Sequence, residues 1–308
     1  MDLKEYEKLL NALESEKAKI DNPKSEYYRK LDKEIAKLKK TVMDNLSAWD
    51  RVTLARHPMR PKAQDYLELL FEDFYEFHGD RKFGDDASII GGIASFNGIP
   101  VTVIAQSKGK SLEENLQKNF GMVSPEGYRK ALRLAKQAEK FKRPIITLVD
   151  TSGAYPGKGA EERGQAEAIA TCLYEFSTLE VPIVCIVLSE GGSGGALALS
   201  VADRIAMLEN SIYSILSPEG FASILWKDER RAKEASEVMK ITSYDLMEKQ
   251  IIDEIIKEPL EGAQAAIEKV ASNIGDYIQK SLNELMNKKP KTLLDERYNK
   301  FRKIGVMS

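Results

Sequence analysis

The sequence predicts an α/β layered domain with a helical hairpin in front of it. Three observations carry this expectation. Residues 3–46 hold two apolar stripes at helical spacing, broken by Asp21-Asn22-Pro23. From Ala87 the pattern turns to strands, with β-branched runs on both sides of Asn97-Gly98. Beyond them, strand, loop and helix segments alternate, which stacks helices on a sheet and gathers loops at the C-terminal ends of the strands. The alternation fits a doubly wound sheet and a spiral of ββα units equally.

In the hairpin, Leu3, Tyr6, Leu10 and Leu13 mark one stripe, and Leu31, Ile35, Leu38, Val42 and Leu46 the other. Its remaining faces carry many Lys and Glu and read as solvated surface, the alternative being a docking face. Residues 88–96 and 100–105 form an antiparallel pair around the Asn97-Gly98 turn. Ser124-Pro125-Glu126 is a helix start, with a capping serine, proline in the first turn and an acid that suits the helix dipole. It leads into a helix through 128–141. The strand 144–150 ends in the loop 151–159, and a helix follows from about Ala160 to Phe176. The run 181–190 is a strand that feeds Gly191-Gly192-Ser193-Gly194-Gly195 and then a small-residue helical segment, 196–200. The expected division is a hairpin over 1–50, a catalytic domain over 51–260 and a C-terminal helical segment and tail over 261–308.

With 308 residues, 43% of them apolar, and no apolar run near the ~20 residues of a membrane span, the chain reads as a soluble globular protein. The start Met1-Asp2-Leu3-Lys4-Glu5 does not read as a signal peptide, and a net charge of −2 gives no case for general attraction to nucleic acid. Cys172 and Cys185 sit in apolar runs that suit buried thiols better than a disulfide or a zinc site. The cytoplasm is the expected compartment.

The glycine run carries the chemistry. Glycines let a substrate oxygen approach the backbone, and the N–H groups of a first helical turn are free to receive negative charge. A phosphate-binding P-loop would need Lys-Ser/Thr after the last glycine, whereas Gly195 is followed by Ala196-Leu197. Gly191 to Gly195 also match Gly-x-Ser-x-Gly, yet that nucleophile elbow needs a downstream histidine, and His57 and His78 both lie upstream. Ser193 is therefore read as no nucleophile, which leaves a backbone oxyanion hole or a turn needed only for packing.

Several blocks in order resemble the carboxyltransferase α subunit of bacterial acetyl-CoA carboxylase: Asn119-Phe120-Gly121-Met122, residues 125–134, Gly153-Ala154-Tyr155-Pro156-Gly157, residues 159–165, residues 190–198 and Ser217-Pro218-Glu219-Gly220. The likeness covers nearly the whole chain, including Ala55-Arg56-His57-Pro58. It implies a crotonase-like spiral (the ClpP/crotonase fold) and an α2β2 complex with a carboxyltransferase β subunit. It also implies transfer of a carboxyl group from carboxybiotin, held on the biotin carboxyl carrier protein, to acetyl-CoA, forming malonyl-CoA in the first committed step of fatty acid biosynthesis.

Such a transfer develops negative charge on the ureido oxygen and on the thioester oxygen, so two oxyanion holes are needed. By resemblance the active site is shared with β, and the N–H groups of Gly194 and Gly195 face the ureido oxygen. The ureido anion can serve as the base, so the lack of a well-placed histidine is consistent with this chemistry. A valine at Gly195 is expected to leave folding and assembly intact while lowering kcat by roughly 10²-fold or more. Gly153, Tyr155, Gly157, Gly192, Glu219 and Lys108 are the further candidates for substrate binding; Lys108, Lys110 and Lys118 read either as contacts to CoA phosphates or, by default, as solvated lysines. Ser152 departs from the family's Asp-Thr-Pro-Gly pattern and loosens that loop.

The chain shows no Met-Lys-Met biotinylation segment, no ATP-grasp glycine loop and no four-cysteine zinc ribbon. By resemblance, biotin belongs to the carrier, ATP binding to biotin carboxylase within the complex, and zinc to β; no metal, membrane or nucleic acid is expected for this chain. A self-sufficient crotonase-like hydratase and a non-catalytic scaffold are the alternatives.

Overall fold

The computed structural model describes residues 3–43, 45–259 and 261–305. Met1, Asp2 and the tail 306–308 lie outside them, as does the side chain of Leu3, named above in the first stripe. The two N-terminal helices, α1 (Leu3–Ala18) and α2 (Glu26–Met43), pack on each other, and Leu54 of α3 (Ala48–Ala55) joins their buried cluster. Tyr6, Leu10, Ile35 and Val42 are buried there with Leu54, and Leu13, Leu38 and Leu46 are partly buried against them. The stripes were thus read on the correct faces. The helix α3 runs across the expected boundary at residue 50, because Ser47 and Asp50 form a capping box at its start.

A short helix α4 (Ala63–Leu70) leads to the strands β1 (Glu72–Glu76), β2 (Ile89–Phe96) and β3 (Ile99–Gln106), which pair antiparallel in sequence order. Asn97 and Gly98 turn the β2–β3 hairpin with φ of 49° and 77°. An L side chain costs about 1–2 kcal/mol in that region. Gly98→Ala should therefore lower stability by about 1 kcal/mol, read as a reduced Tm, with turnover per folded molecule unchanged.

The chain continues through α5 (Leu112–Gln117) and α6 (Pro125–Lys140) to β4 (Ile145–Thr151), then through α7 (Lys158–Glu162) and α8 (Gln165–Thr178) to β5 (Ile183–Gly192). A single helix was expected over 160–176; Gly164, at φ 81°, breaks it into α7 and α8. After β5 come α9 (Ser193–Leu197), β6 (Arg204–Leu208) and β7 (Ile212–Ser214). Three helices, α10 (Pro218–Trp226), α11 (Ala232–Met239) and α12 (Ser243–Glu248), precede β8 (Glu254–Ile256), and α13 (Ile267–Leu285) and α14 (Pro290–Lys303) close the described chain.

Among the described residues the sheet order is β1-β2-β3-β4-β5-β6-β8, with β7 paired to β5. From β3 to β8 the pairings are parallel. A doubly wound sheet reverses its strand order at a switch point. Here every new strand except β7 adds to the same edge, so the chain advances as a spiral. The strand β5 changes neighbour along its length: Val184–Val187 pair with β6, and Glu190–Gly192 pair with β7.

Alternate residues of the central strands face two apolar layers, as period-2 side chains must. Ile145, Val149, Ile183, Cys185 and Val187 pack with α6 and α8. Ile146, Leu148, Val184, Ile186 and Leu188 pack with α4 and α13. Val270, Ile274, Ile278 and Leu282 of α13 are part of that second layer, so residues beyond 261 are continuous with the core of the preceding domain. Cys172 and Cys185 are free, buried thiols. No described helix is long and apolar enough to cross a membrane.

Candidate active site

Two glycine loops leave the C-terminal ends of β4 and β5 and press against each other. A Cβ on Gly192 would lie 2.1 Å from Ser152 O, and one on Gly195 would lie 2.6 Å from Ala154 N and 2.7 Å from Gly153 C. Only glycine allows this backbone-to-backbone approach. At the corner, Ser193 takes φ 55° and is exposed. Ser193, Gly194 and Gly195 form the first turn of α9, where N–H groups have no intrahelical acceptor. Gln106 holds the turn from below, its Nε2 donating to Gly195 O at 2.8 Å. The buried hydroxyl of Tyr128 lies 2.8 Å from where a Gly195 Cβ would sit and has no partner among the described residues.

The two candidate oxyanion glycines face different surroundings. Gly194, with Ser193, lines an apolar cavity of about 640 Å³ walled by Leu197, Tyr213, Phe221, Ile241, Leu246 and Phe301. A Cβ on Gly194 would meet only Ile169 Cγ2, at 3.5 Å. Gly195 instead backs onto the 153–154 backbone. Valine there cannot be seated without moving main chain, so the expectation that Gly195→Val folds normally is corrected.

The other candidates do not line the described wall of that cavity. Gly153, at φ 148°, lies under the glycine turn. The Tyr155 N–H donates to Val123 O at 3.0 Å, and its ring leaves no room for a side chain at Gly157. Lys108 reads from the sequence as a solvated lysine or a contact to CoA phosphates. Its buried ammonium instead bridges Asp150 Oδ1 at 3.0 Å and Glu190 Oε2 at 2.6 Å. Lys118 donates to Ser107 Oγ, and Lys110 pairs with Asp65. Glu219 sits in the first turn of α10 and accepts from Arg56 Nη1 at 2.7 Å.

Arg56, Asp150 and Glu190 were missed as site residues. Glu190 carried a signal, being an acid at the end of an apolar strand directly before the glycines. Burial pushes its carboxyl up, but Lys108 and Arg56 outweigh this and hold its pKa at about 2. Lys108 is likewise lowered by burial and raised more by Asp150 and Glu190, so it stays charged.

The corner at Ser193 has the strand-turn-helix form of a nucleophile elbow. The histidines are engaged elsewhere: His57 Nδ1 accepts from Met59 N–H, and His78 Nδ1 lies 2.9 Å from Asp85. Ser193→Ala should accordingly keep most activity, and a serine-directed phosphonate should not label the protein. Stoichiometric labelling with loss of turnover would overturn that reading.

A family model described as acetyl co-enzyme A carboxylase carboxyltransferase-like matches residues 1–305. Curated relatives named acetyl-coenzyme A carboxylase carboxyl transferase subunit alpha include one from Listeria welshimeri, 58% identical over 90% of this chain and 87% of the relative. Another, from Geobacillus sp., is 54% identical over 98% of this chain and 93% of the relative. Among solved structures, the transcarboxylase 12S hexamer with methylmalonyl-coenzyme A and methylmalonic acid bound aligns with a TM-score of 0.60 at 20% identity. It matches 73% of this chain, which spans 42% of that one. A Pseudomonas malonate decarboxylase hetero-tetramer in complex with coenzyme A aligns at 0.58 and 16% identity, over 72% of this chain and 89% of that one. These likenesses are to the fold, which is the crotonase-like spiral expected from the sequence.

Proposed function

The chain belongs to the acetyl-CoA carboxylase carboxyltransferase α-subunit family, and from that premise we propose that its glycine turn forms the biotin-side half of an active site completed by a β subunit. The chain is a biotin-dependent carboxyltransferase component, acting in the transfer that converts acetyl-CoA to malonyl-CoA for fatty acid biosynthesis. The observation that carries the site assignment is the position of Gly194, on the wall of an apolar cavity and in the first turn of a helix. At about 640 Å³ the cavity is within the range of small-molecule sites. Its apolar walls suit a bicyclic ring with one polar edge.

Carboxybiotin, presented by a separate carrier protein, supplies the activated carboxyl group when bound. The residues of this chain bind, orient and exclude water. The N–H groups of Gly194 and Gly195 donate to the ureido oxygen as it gains charge, and one preorganised donor contributes about 2.7–4 kcal/mol. The apolar walls keep water from the carboxyl group before transfer. Gln106, Asp150, Lys108 and Glu190 hold the strand ends from which the glycine loops spring.

The thioester oxyanion is assigned to a β subunit, with the biotin carboxyl carrier protein and biotin carboxylase as further partners in an α2β2-based cytoplasmic complex. Among the described residues no group of three or more His, Cys, Asp and Glu is arranged to hold a metal, and zinc is assigned to β. The test is reconstitution. This chain alone should show negligible malonyl-CoA-dependent carboxylation of free biotin, and adding β should restore it; robust turnover by the isolated chain would sink the shared site.

A further inference from the structure

Under the glycine turn runs a relay of five charged side chains that the oxyanion donors do not use. Lys108 joins Asp150, at the end of β4, to Oε2 of Glu190, at the end of β5. The other oxygen of Glu190, Oε1, accepts from Arg56 Nε at 2.6 Å. Arg56, which follows the last residue of α3, also donates Nη1 to Glu219 Oε1 at 2.7 Å. Glu190 directly precedes Gly191, and Glu219 stands two residues before Phe221, which lines the cavity. The relay therefore ties the root of the glycine turn to the α10 wall.

Adhesion alone does not explain this arrangement. Asp150 and Glu190 are 0% and 10% exposed at their side chains, and burying such charges costs desolvation that apolar side chains of similar volume avoid; Arg56 and Glu219 stay partly exposed. A guanidinium adds direction: its donors lie in a rigid planar fork, so two carboxylates bound to it are held at a set separation. A lysine at this position would offer a point charge without the fork.

We propose that Arg56 is a positioning residue for carboxyl transfer, setting the gap between the glycine turn and the α10 wall and thereby the seat of the biotin ring. This rests on the reading of the cavity as the biotin side. Arg56 does not touch the reacting atoms in this scheme. It acts through Glu190 on the turn and through Glu219 on the wall.

The experiment uses the complex reconstituted with β and follows malonyl-CoA-dependent carboxylation of free biotin, varying each substrate in turn. Arg56→Met should lower kcat/KM for biotin about 10-fold or more, the scale of a small misplacement, while KM for malonyl-CoA stays within about twofold. Glu219→Gln should give a smaller loss of the same kind at parental Tm, which keeps the test open if Arg56→Met folds poorly. The double variant should be no worse than Arg56→Met alone, because both remove one linkage. Arg56→Lys should recover activity only in part. Parental kcat/KM for biotin in the folded variants, equal losses for both substrates, or additive effects of Arg56 and Glu219 would each overturn the proposal. If the parental complex carboxylates no biotin, the site assignment itself fails, an outcome distinct from these.

Discussion

Valine at Gly194 is expected to cut kcat for carboxyl transfer by roughly 10²-fold, the scale of one lost oxyanion interaction, in an enzyme that still folds and assembles. Space and backbone both permit the substitution. The new Cβ makes one ordinary contact, 3.5 Å from Ile169 Cγ2, and Gly194 is not among the residues with left-handed φ. Gly194 lines the cavity proposed to seat the ureido oxygen, so added methyl groups would crowd that wall. Gly195→Val should behave in the opposite way. Its Cβ would enter within 2.6 Å of Ala154 N and 2.8 Å of Tyr128 Oη, so folding should fail before catalysis is tested. Measuring kcat and Tm for both variants separates the two roles. Parental turnover in Gly194→Val would remove the oxyanion assignment, and a parental Tm in Gly195→Val would contradict the packing.

Arg297→Ala is expected to cost roughly 3–5 kcal/mol of stability, the usual penalty for breaking a buried ion pair from one side. Arg297 and Asp203 are 1% and 3% exposed at their side chains, so neither charge has water to fall back on. The guanidinium reaches Asp203 at 2.9 and 2.8 Å and also donates to the carbonyls of Phe176, Leu179 and Val181. Those carbonyls mark the end of α8 and the approach to β5, and Asp203 also accepts from Ile183 N–H. One arginine on α14 thus fastens the C-terminal helix to the strand that carries the glycine turn. Chemical denaturation reads the effect, with exposed Lys303→Ala as a control expected within about 0.5 kcal/mol of the parent. A loss below about 1 kcal/mol for Arg297→Ala would show that the clamp contributes little.

What was legible in the sequence is what local chemistry dictates. The Asn97-Gly98 hairpin, the capped start of α6 and the strand that ends in glycines each depend on neighbours along the chain. The spiral was not legible from alternation, because only the strand order separates it from a doubly wound sheet; the family blocks supplied it. Nor could spacing show that Gly195 abuts Ala154, since the two loops meet only when β4 and β5 pair. Lys108 illustrates the same limit. Along the chain it lies among polar residues and reads as solvated, yet the parallel pairing of β3, β4 and β5 brings it between Asp150 and Glu190. Arg56 gave no sign of its pairing with Glu190 and Glu219 beyond lying in a family block, because both carboxylates are more than a hundred residues away.

The most direct test of the oxyanion assignment is a structure of this chain assembled with β and bound to biotin, read at a single distance. A ureido oxygen about 2.7–3.1 Å from the N–H nitrogen of Gly194 or Gly195 is the predicted result. A biotin ring seated elsewhere, with those N–H groups turned to solvent or to protein, would contradict it.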